Sequence, residues 1–214
     1  DFNEGEANNK MSRRQQMVGY SFSHAFDDTF TLRQNLRYTR EHTLYRSVYG
    51  NAFVAPSTIN RAYVRSDEDM TAFTVDTQLQ RDFATGAVDH KLLTGVDYSR
   101  MRNDINADYG TASPLNMLDP QYGNPDINVN FLYDVINRQE QTGLYVQDQA
   151  EWNKWVMTLG GRYDFAKTST YTRSSGALAE INDPGAAAST ICSITAYPLT
   201  SATANRLSLF LVPP

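Results

Sequence analysis

The stretch Thr142–Phe165, TGLYVQDQAEWNKWVMTLGGRYDF, decides the fold. Two alternating runs meet back to back at Asn153 and Lys154. In the first, Leu144, Val146, Ala150 and Trp152 share one parity, and Tyr145, Gln147, Gln149 and Glu151 share the other. In the second, Met157, Leu159, Tyr163 and Phe165 oppose Thr158, Gly160, Arg162 and Asp164. Successive side chains of a strand point to opposite faces, so each run has one greasy and one wet face, and the pair reads as a β-hairpin. Asp148 falls on the greasy parity and breaks the pattern. Trp152 and Trp155 flank the turn, where a membrane-crossing hairpin meets lipid headgroups and needs amphipathic rings. Alternation alone favours the edge hairpin of a soluble sandwich, because the barrel signal per segment is weak, so the rest of the chain must discriminate.

The same pattern recurs twice upstream. From Gln15, Met17, Gly19 and Ser21 alternate with Val18, Tyr20 and Phe22; after a break at 24–28, Phe30, Leu32 and Leu36 alternate with Arg33, Asn35 and Arg37. Over Met70–Phe83, Phe73, Val75, Thr77 and Leu79 oppose Thr74, Asp76, Gln78 and Gln80. A tight turn at 84–88 leads into His90–Met101, with Leu92, Thr94, Val96 and Tyr98 on one face. Residues 1–13, 40–67 and 104–137 show no sustained period and are predicted to be loops. The last two are long, whereas loops beyond ~12–15 residues are uncommon in compact domains. Short turns on one rim and long loops on the other form the pattern of an outer-membrane barrel. The register then puts Val18, Tyr20, Leu144, Val146, Met157 and Leu159 on the lipid side, and Arg33, Gln147 and Arg162 in the lumen.

Composition agrees. With 214 residues, 41% hydrophobic and 20% charged, the chain suffices for one domain, and 13 Tyr with 10 Phe suit strands and interfacial girdles. The net charge of -5 argues against a nucleic-acid partner. No run approaches the ~18 apolar residues of a membrane helix, a test that a barrel escapes by hiding half of each strand in its lumen. The single Cys192 provides neither a disulfide framework nor a thiolate cluster, and is read as an inert thiol. The chain begins at Asp1 without a signal-peptide pattern, so a leader was removed or the chain is an internal fragment.

No metal or catalytic site emerges. His24, His42 and His90 lie far apart without ligand spacing and read as rim or surface residues. Asp67, Glu68 and Asp69 read as a solvated strand start. Gly160 and Gly161 mark a bend or close approach inside a strand. Nothing selects a Ser/His/Asp triad, so the chain is read as no enzyme. An outer-membrane hydrolase barrel and a soluble β-sandwich ligand-binding domain are the alternatives.

Residues 15–167 closely resemble TonB-dependent ferric-siderophore receptors of Gram-negative outer membranes, in the hydroxamate branch that takes ferrichrome and ferrioxamine. The segments RRQQMVGYSFSHAFDDTFTLRQNLRY, FTVDTQLQRDFATGAVDHKLLTGVDYSRMRNDINA and QTGLYVQDQAEWNKWVMTLGGRYDF carry the resemblance. It implies an all-β antiparallel segment, about six strands of a plugged 22-stranded barrel. It also implies a ferric hydroxamate siderophore as ligand, the TonB complex as partner through a plug, outer-membrane lipid around it, and no cofactor beyond the iron that the ligand carries. Neither plug nor TonB box is visible, so the chain alone is expected to be inactive. Loop aromatics are implied to touch the ligand, with Tyr109 and Tyr122 as candidates. Asp108 stands where ferrichrome-type receptors have an aromatic residue, which leans the reading towards a ferrioxamine-like or other ligand.

Residues 1–183 therefore read as a partial receptor barrel, and 184–214 as an aberrant tail. PGAAASTICSITAYPLTSATANRLSLFLVPP contains no Asp, Glu, Gln or Lys, and its alternation is lost. With suitable synonymous codons, the frame that joins each third base to the next two spells WRGGVNYLFDNGISPYFSYSESFEP, a string that resembles the segment after RYDF in these receptors. A frameshift near the 183–184 junction is inferred, and an irregular tail is expected. A Ser/Thr/Ala-rich linker is the alternative.

Overall fold

The computed structural model describes residues 3–123, 125–184 and 189–196. They form eight strands: β1 (Lys10–Ala25), β2 (Phe30–Val54), β3 (Thr58–Thr85), β4 (Val88–Asn116), β5 (Ile127–Trp152), β6 (Trp155–Thr172), β7 (Ala177–Pro184) and β8 (Ser189–Ala196). All belong to one antiparallel sheet, in which β1 to β7 follow in order, each paired with its sequence neighbour. β7 pairs Phe165–Thr172 of β6 and β8 pairs Trp155–Arg162, so the two share one flank of β6 end to end. Among the described residues no second layer covers this sheet.

The short turns fall where the alternation predicts them. β1 and β2 join across 26–29, β3 and β4 across Gly86 and Ala87, and β5 and β6 across Asn153 and Lys154. Asn153 takes φ 52, a left-handed value that asparagine accepts more readily than most residues. At this end Trp152 and Trp155 are cross-strand partners.

The predicted loops are strands. Residues 40–67 continue β2 and β3 to a hairpin turning at 55–57, and 104–137 continue β4 and β5 around a connection at 117–126. β3 and β4 thus reach 28 and 29 residues, although ~9–11 suffice to cross a bilayer at a tilt. The first 13 residues likewise include the start of β1. Period 2 vanished in these stretches because polar cross-strand pairs stabilise the ladder in place of a greasy face. Arg65 bonds Asp108 at 3.1 Å and His42 approaches Asp69 at 3.4 Å, while Arg173, in the turn just past β6, bonds Asp104 at 2.6 Å and also pairs with Asp134. A small core of Val48, Ala107, Ala112, Leu115, Val135 and Ile136 lies at this far end.

The sheet extends the expected segment of about six strands by the short β7 and β8. Of the tail, expected to be irregular or poorly packed, Ser189–Ala196 lies antiparallel to β6; the remaining residues beyond Pro184 are outside those described.

The ladder separates the two predicted faces. The row Tyr20, Leu36, Val75, Tyr98 belongs to one face, and so do Val18, Leu144, Val146, Met157 and Leu159. Arg33, Gln78, Gly95, Tyr145 and Arg162 form a single row on the other, which also holds Gln147. Leu144, Val146, Leu159 and Phe165 are about half exposed, a contiguous apolar surface of a kind that soluble monomers rarely show. It ends towards the long hairpins at Tyr38 and Phe73, beyond which Arg40, Arg102 and Arg138 share a row. Aromatic and then basic residues mark a passage from hydrocarbon to headgroups.

Asp148, which broke the alternation, lies on this apolar face near the short-turn rim. His90 of β4 meets its carboxylate at 2.8 Å, Thr85 Oγ1 lies 2.5 Å from the other ring nitrogen, and Phe83 stacks on the imidazole at 4.9 Å. Asp148 Oδ1 is buried without a partner.

Candidate functional site: the polar wall

The polar face is organised at two levels. At mid-strand, Asp76 and Asp97 are direct cross-strand partners, an arrangement that costs free energy unless each carboxylate finds a donor. Arg162 supplies one set, giving Asp97 two bonds of 2.6 and 3.0 Å and Asp164 bonds of 2.9 and 2.5 Å. Tyr145 donates its hydroxyl to Asp76 at 2.6 Å, with Gln78 at the same distance, and Gln141 reaches Asp164 at 3.0 Å. Charge-assisted bonds of this kind contribute roughly 1.5–3 kcal/mol each.

Glycines make room for this network. A Cβ on Gly143 would lie 2.1 Å from Arg162 Nη2, and one on Gly95 would lie 2.3 Å from Tyr145 Cζ. Both side chains therefore lie flat across the wall, with the Arg162 guanidinium 5.8 Å from the Tyr145 ring centre. Of the bend or close approach read at Gly160 and Gly161, the close approach occurs instead at these two: Gly161 has open space, and Gly160 makes ordinary contacts at 3.4 Å and beyond.

Nearer the long hairpins the same face becomes aromatic. One row reads Met11, Tyr45, Ser66, Ala107, Tyr133, and the next reads Ser47, Val64, Tyr109, Phe131. The Tyr109 and Phe131 ring centres are 6.1 Å apart, and those of Phe131 and Tyr133 are 6.5 Å apart. Ser66 and Ala107 are buried in the row between Tyr45 and Tyr133. Small residues between large rings form a trough suited to stacking and to phenolic donors.

Of the two site residues expected from sequence, Tyr109 stands on this wall, half exposed. Tyr122 lies in the β4–β5 connection, where its hydroxyl donates to Asn3 O at 2.8 Å and accepts from Asn3 N at 3.2 Å. Asp108 alternates with Tyr109 and belongs to the opposite face, paired with Arg65, so it does not face the trough as Tyr109 does. Tyr45, Phe131 and Tyr133 were missed because they lie in stretches read as loops. The run Phe131, Leu132, Tyr133, with two rings of one parity, was the available signal.

Pairing also joins what sequence spacing separates. His42 lies 3.7 Å from Asp67 and 3.4 Å from Asp69, an exposed or half-exposed group on the face opposite the trough. Beside the same surface, Asp104 and Asp134 raise the pKa of Arg173 through the bonds they accept.

One continuous antiparallel sheet with an apolar face and a charged and aromatic face is a segment of a large transmembrane β-barrel. The chain belongs to the family described as TonB dependent receptor-like, beta-barrel, which matches residues 1–190. It is 47% identical over 209 residues to the ferrichrome outer membrane transporter/phage receptor of Escherichia coli K12, covering 86% of this chain and 28% of that protein. It is 38% identical over 169 residues to the ferrioxamine B receptor of Salmonella typhimurium, covering 78% of this chain and 24% of the relative. The chain thus spans about a quarter of the curated relatives it matches. Among solved structures, BauA, the ferric preacinetobactin receptor from Acinetobacter baumannii, superimposes with a TM-score of 0.72 at 17% identity, over 87% of this chain and 28% of that one. That likeness is one of fold.

Proposed function

We propose that the chain forms part of the barrel wall of an outer-membrane receptor that imports a ferric hydroxamate siderophore with energy from the TonB complex. The identity of 47% to a ferrichrome transporter is the observation that carries this reading. The trough of Tyr45, Tyr109, Phe131 and Tyr133 supports it, because a bulky, oxygen-rich chelate suits aromatic faces bearing phenolic donors. Iron enters as part of the ligand, and the wall itself performs no catalysis. The apolar face contacts lipid, and the arginines beyond it contact headgroups.

The chain on its own does not transport: among the described residues β1 pairs on one side alone, and an open edge is one that hydrocarbon cannot satisfy. Titration of the full-length, in-frame receptor with ferrichrome and ferrioxamine B tests the ligand. Tyr109→Ala and Phe131→Ala are each expected to weaken binding about five- to thirtyfold, the range of one lost aromatic contact. Unchanged affinity in both variants would remove the trough from the ligand site.

A further inference from the structure

We infer that Glu6 and Arg61 are positioning residues, forming a latch that fastens the β4–β5 connection and its Tyr122 to the tip of the β2–β3 hairpin. This inference rests on the proposed receptor function for its consequence, and on geometry for its existence. Residues 3–9 precede β1 and lie against the hairpin tips. The Asn9 side chain bonds both Val48 N and Val48 O, at 2.8 and 2.9 Å, as a strand's own backbone would. Glu6 Oε1 then meets Arg61 Nη1 at 2.6 Å, with both side chains only 1% exposed. Its second oxygen accepts from Gly123 N at 2.8 Å, and Arg61 Nε donates to Ser113 O at 2.8 Å. One ion pair therefore joins the leading segment, β3, β4 and the β4–β5 connection.

The seat is shaped for the segment. A Cβ on Gly50 would lie 2.4 Å from Glu4 Oε2, and one on Gly5 would lie 3.1 Å from Val48 O. A buried ion pair contributes little net stability, but removing one partner strands the other charge in a dry site. The pair therefore makes the hairpin tips move as one unit. Besides the latch, the connection is held by Met117 N to Ser57 O at 2.8 Å, Ser113 N to Asp126 O at 3.0 Å, and Tyr122 to Asn3. Asn3 is itself in the latched segment, so releasing Glu6 also loosens the anchor of Tyr122.

Amide exchange of the full-length, in-frame receptor, combined with the concentration dependence of ferrichrome uptake, tests the latch. Glu6→Ala and Arg61→Ala should each speed exchange in 117–123 about tenfold or more, the effect of losing one net hydrogen bond. The double variant should exchange no faster than the single ones, because the residues act as a pair. Half-maximal uptake should move to higher ferrichrome concentration at an unchanged maximal rate per receptor, and Arg61→Lys, which keeps the charge, should restore part of the loss. Where Glu6→Ala does not assemble, Glu6→Gln keeps the shape and should still speed exchange. Unchanged exchange in 117–123, or an equal rise across 144–149, would overturn the latch. Faster local exchange in a receptor that binds no siderophore would reject the proposed ligand and leave the latch standing.

Discussion

Arg162 on β6 bonds Asp97 on β4 across the intervening strand β5, at 2.6 and 3.0 Å, because the β5 residue opposite Asp97 is Gly143. A methyl group at Gly143 occupies the path of the guanidinium. Gly143→Ala is expected to displace Arg162 and to destabilise the wall by about 1–3 kcal/mol, the cost of leaving Asp97 and Asp164 without their donor. Gly160→Ala, where there is space, should cost less than about 0.5 kcal/mol. Urea midpoints of the folded receptor in detergent distinguish the two, and equal losses would contradict the role of Gly143.

The opposite face makes a depth-dependent demand. Leu144→Arg puts a cation in the apolar band and should cost about 2–4 kcal/mol of folding free energy in lipid. Gln147→Arg, on the polar face, should change it by less than about 0.5 kcal/mol. Reversible unfolding in bilayers measures both, and a reversed ranking would invert the sheet.

At the β1–β2 turn, Asp27 accepts bonds from Thr29 Oγ1 and Thr29 N at 2.7 Å and from Phe30 N at 2.8 Å, which hold its carboxyl below the usual carboxylate range. A folded-state pKa that is lowered gives stability fully present above the ordinary value of about 3.9 and lost as pH falls through the folded value. Amide protection of Thr29 and Phe30 should therefore decline below about pH 4, and Asp27→Asn should abolish that decline. A decline centred near pH 6 would assign it to another group.

Strand pairing and facing were legible wherever one face was apolar and the other polar. The runs 15–38, 70–101 and 142–165 placed three turns and separated Leu144 from Arg162 correctly. Beyond the apolar band, as at Arg65 with Asp108, charged pairs stabilise strands without any period, and two long extensions were read as loops. Tyr109 was suggested as a candidate by resemblance. Its neighbours Tyr45 and Tyr133 required the register, because residues far apart in sequence become one row only through pairing. Gly143 was invisible for the same reason, since the side chain that needs its space belongs to another strand.

The tail remains a matter of reading frame. We propose that Pro184–Pro214 arises from a frameshift near the Asp183 codon, on the strength of the third-base frame spelling WRGGVNYLF. Nucleotide sequencing across that codon is expected to show this frame. Any other sequence there would make the tail a genuine continuation of the chain.

The most direct test of the central claim is growth of an iron-starved, receptor-null strain carrying the full-length, in-frame gene, supplied in turn with ferrichrome, ferrioxamine B and a catecholate siderophore. Rescue by a hydroxamate siderophore, lost when the TonB complex is deleted, is the expected result. Failure on both hydroxamates, or rescue by the catecholate alone, would contradict it.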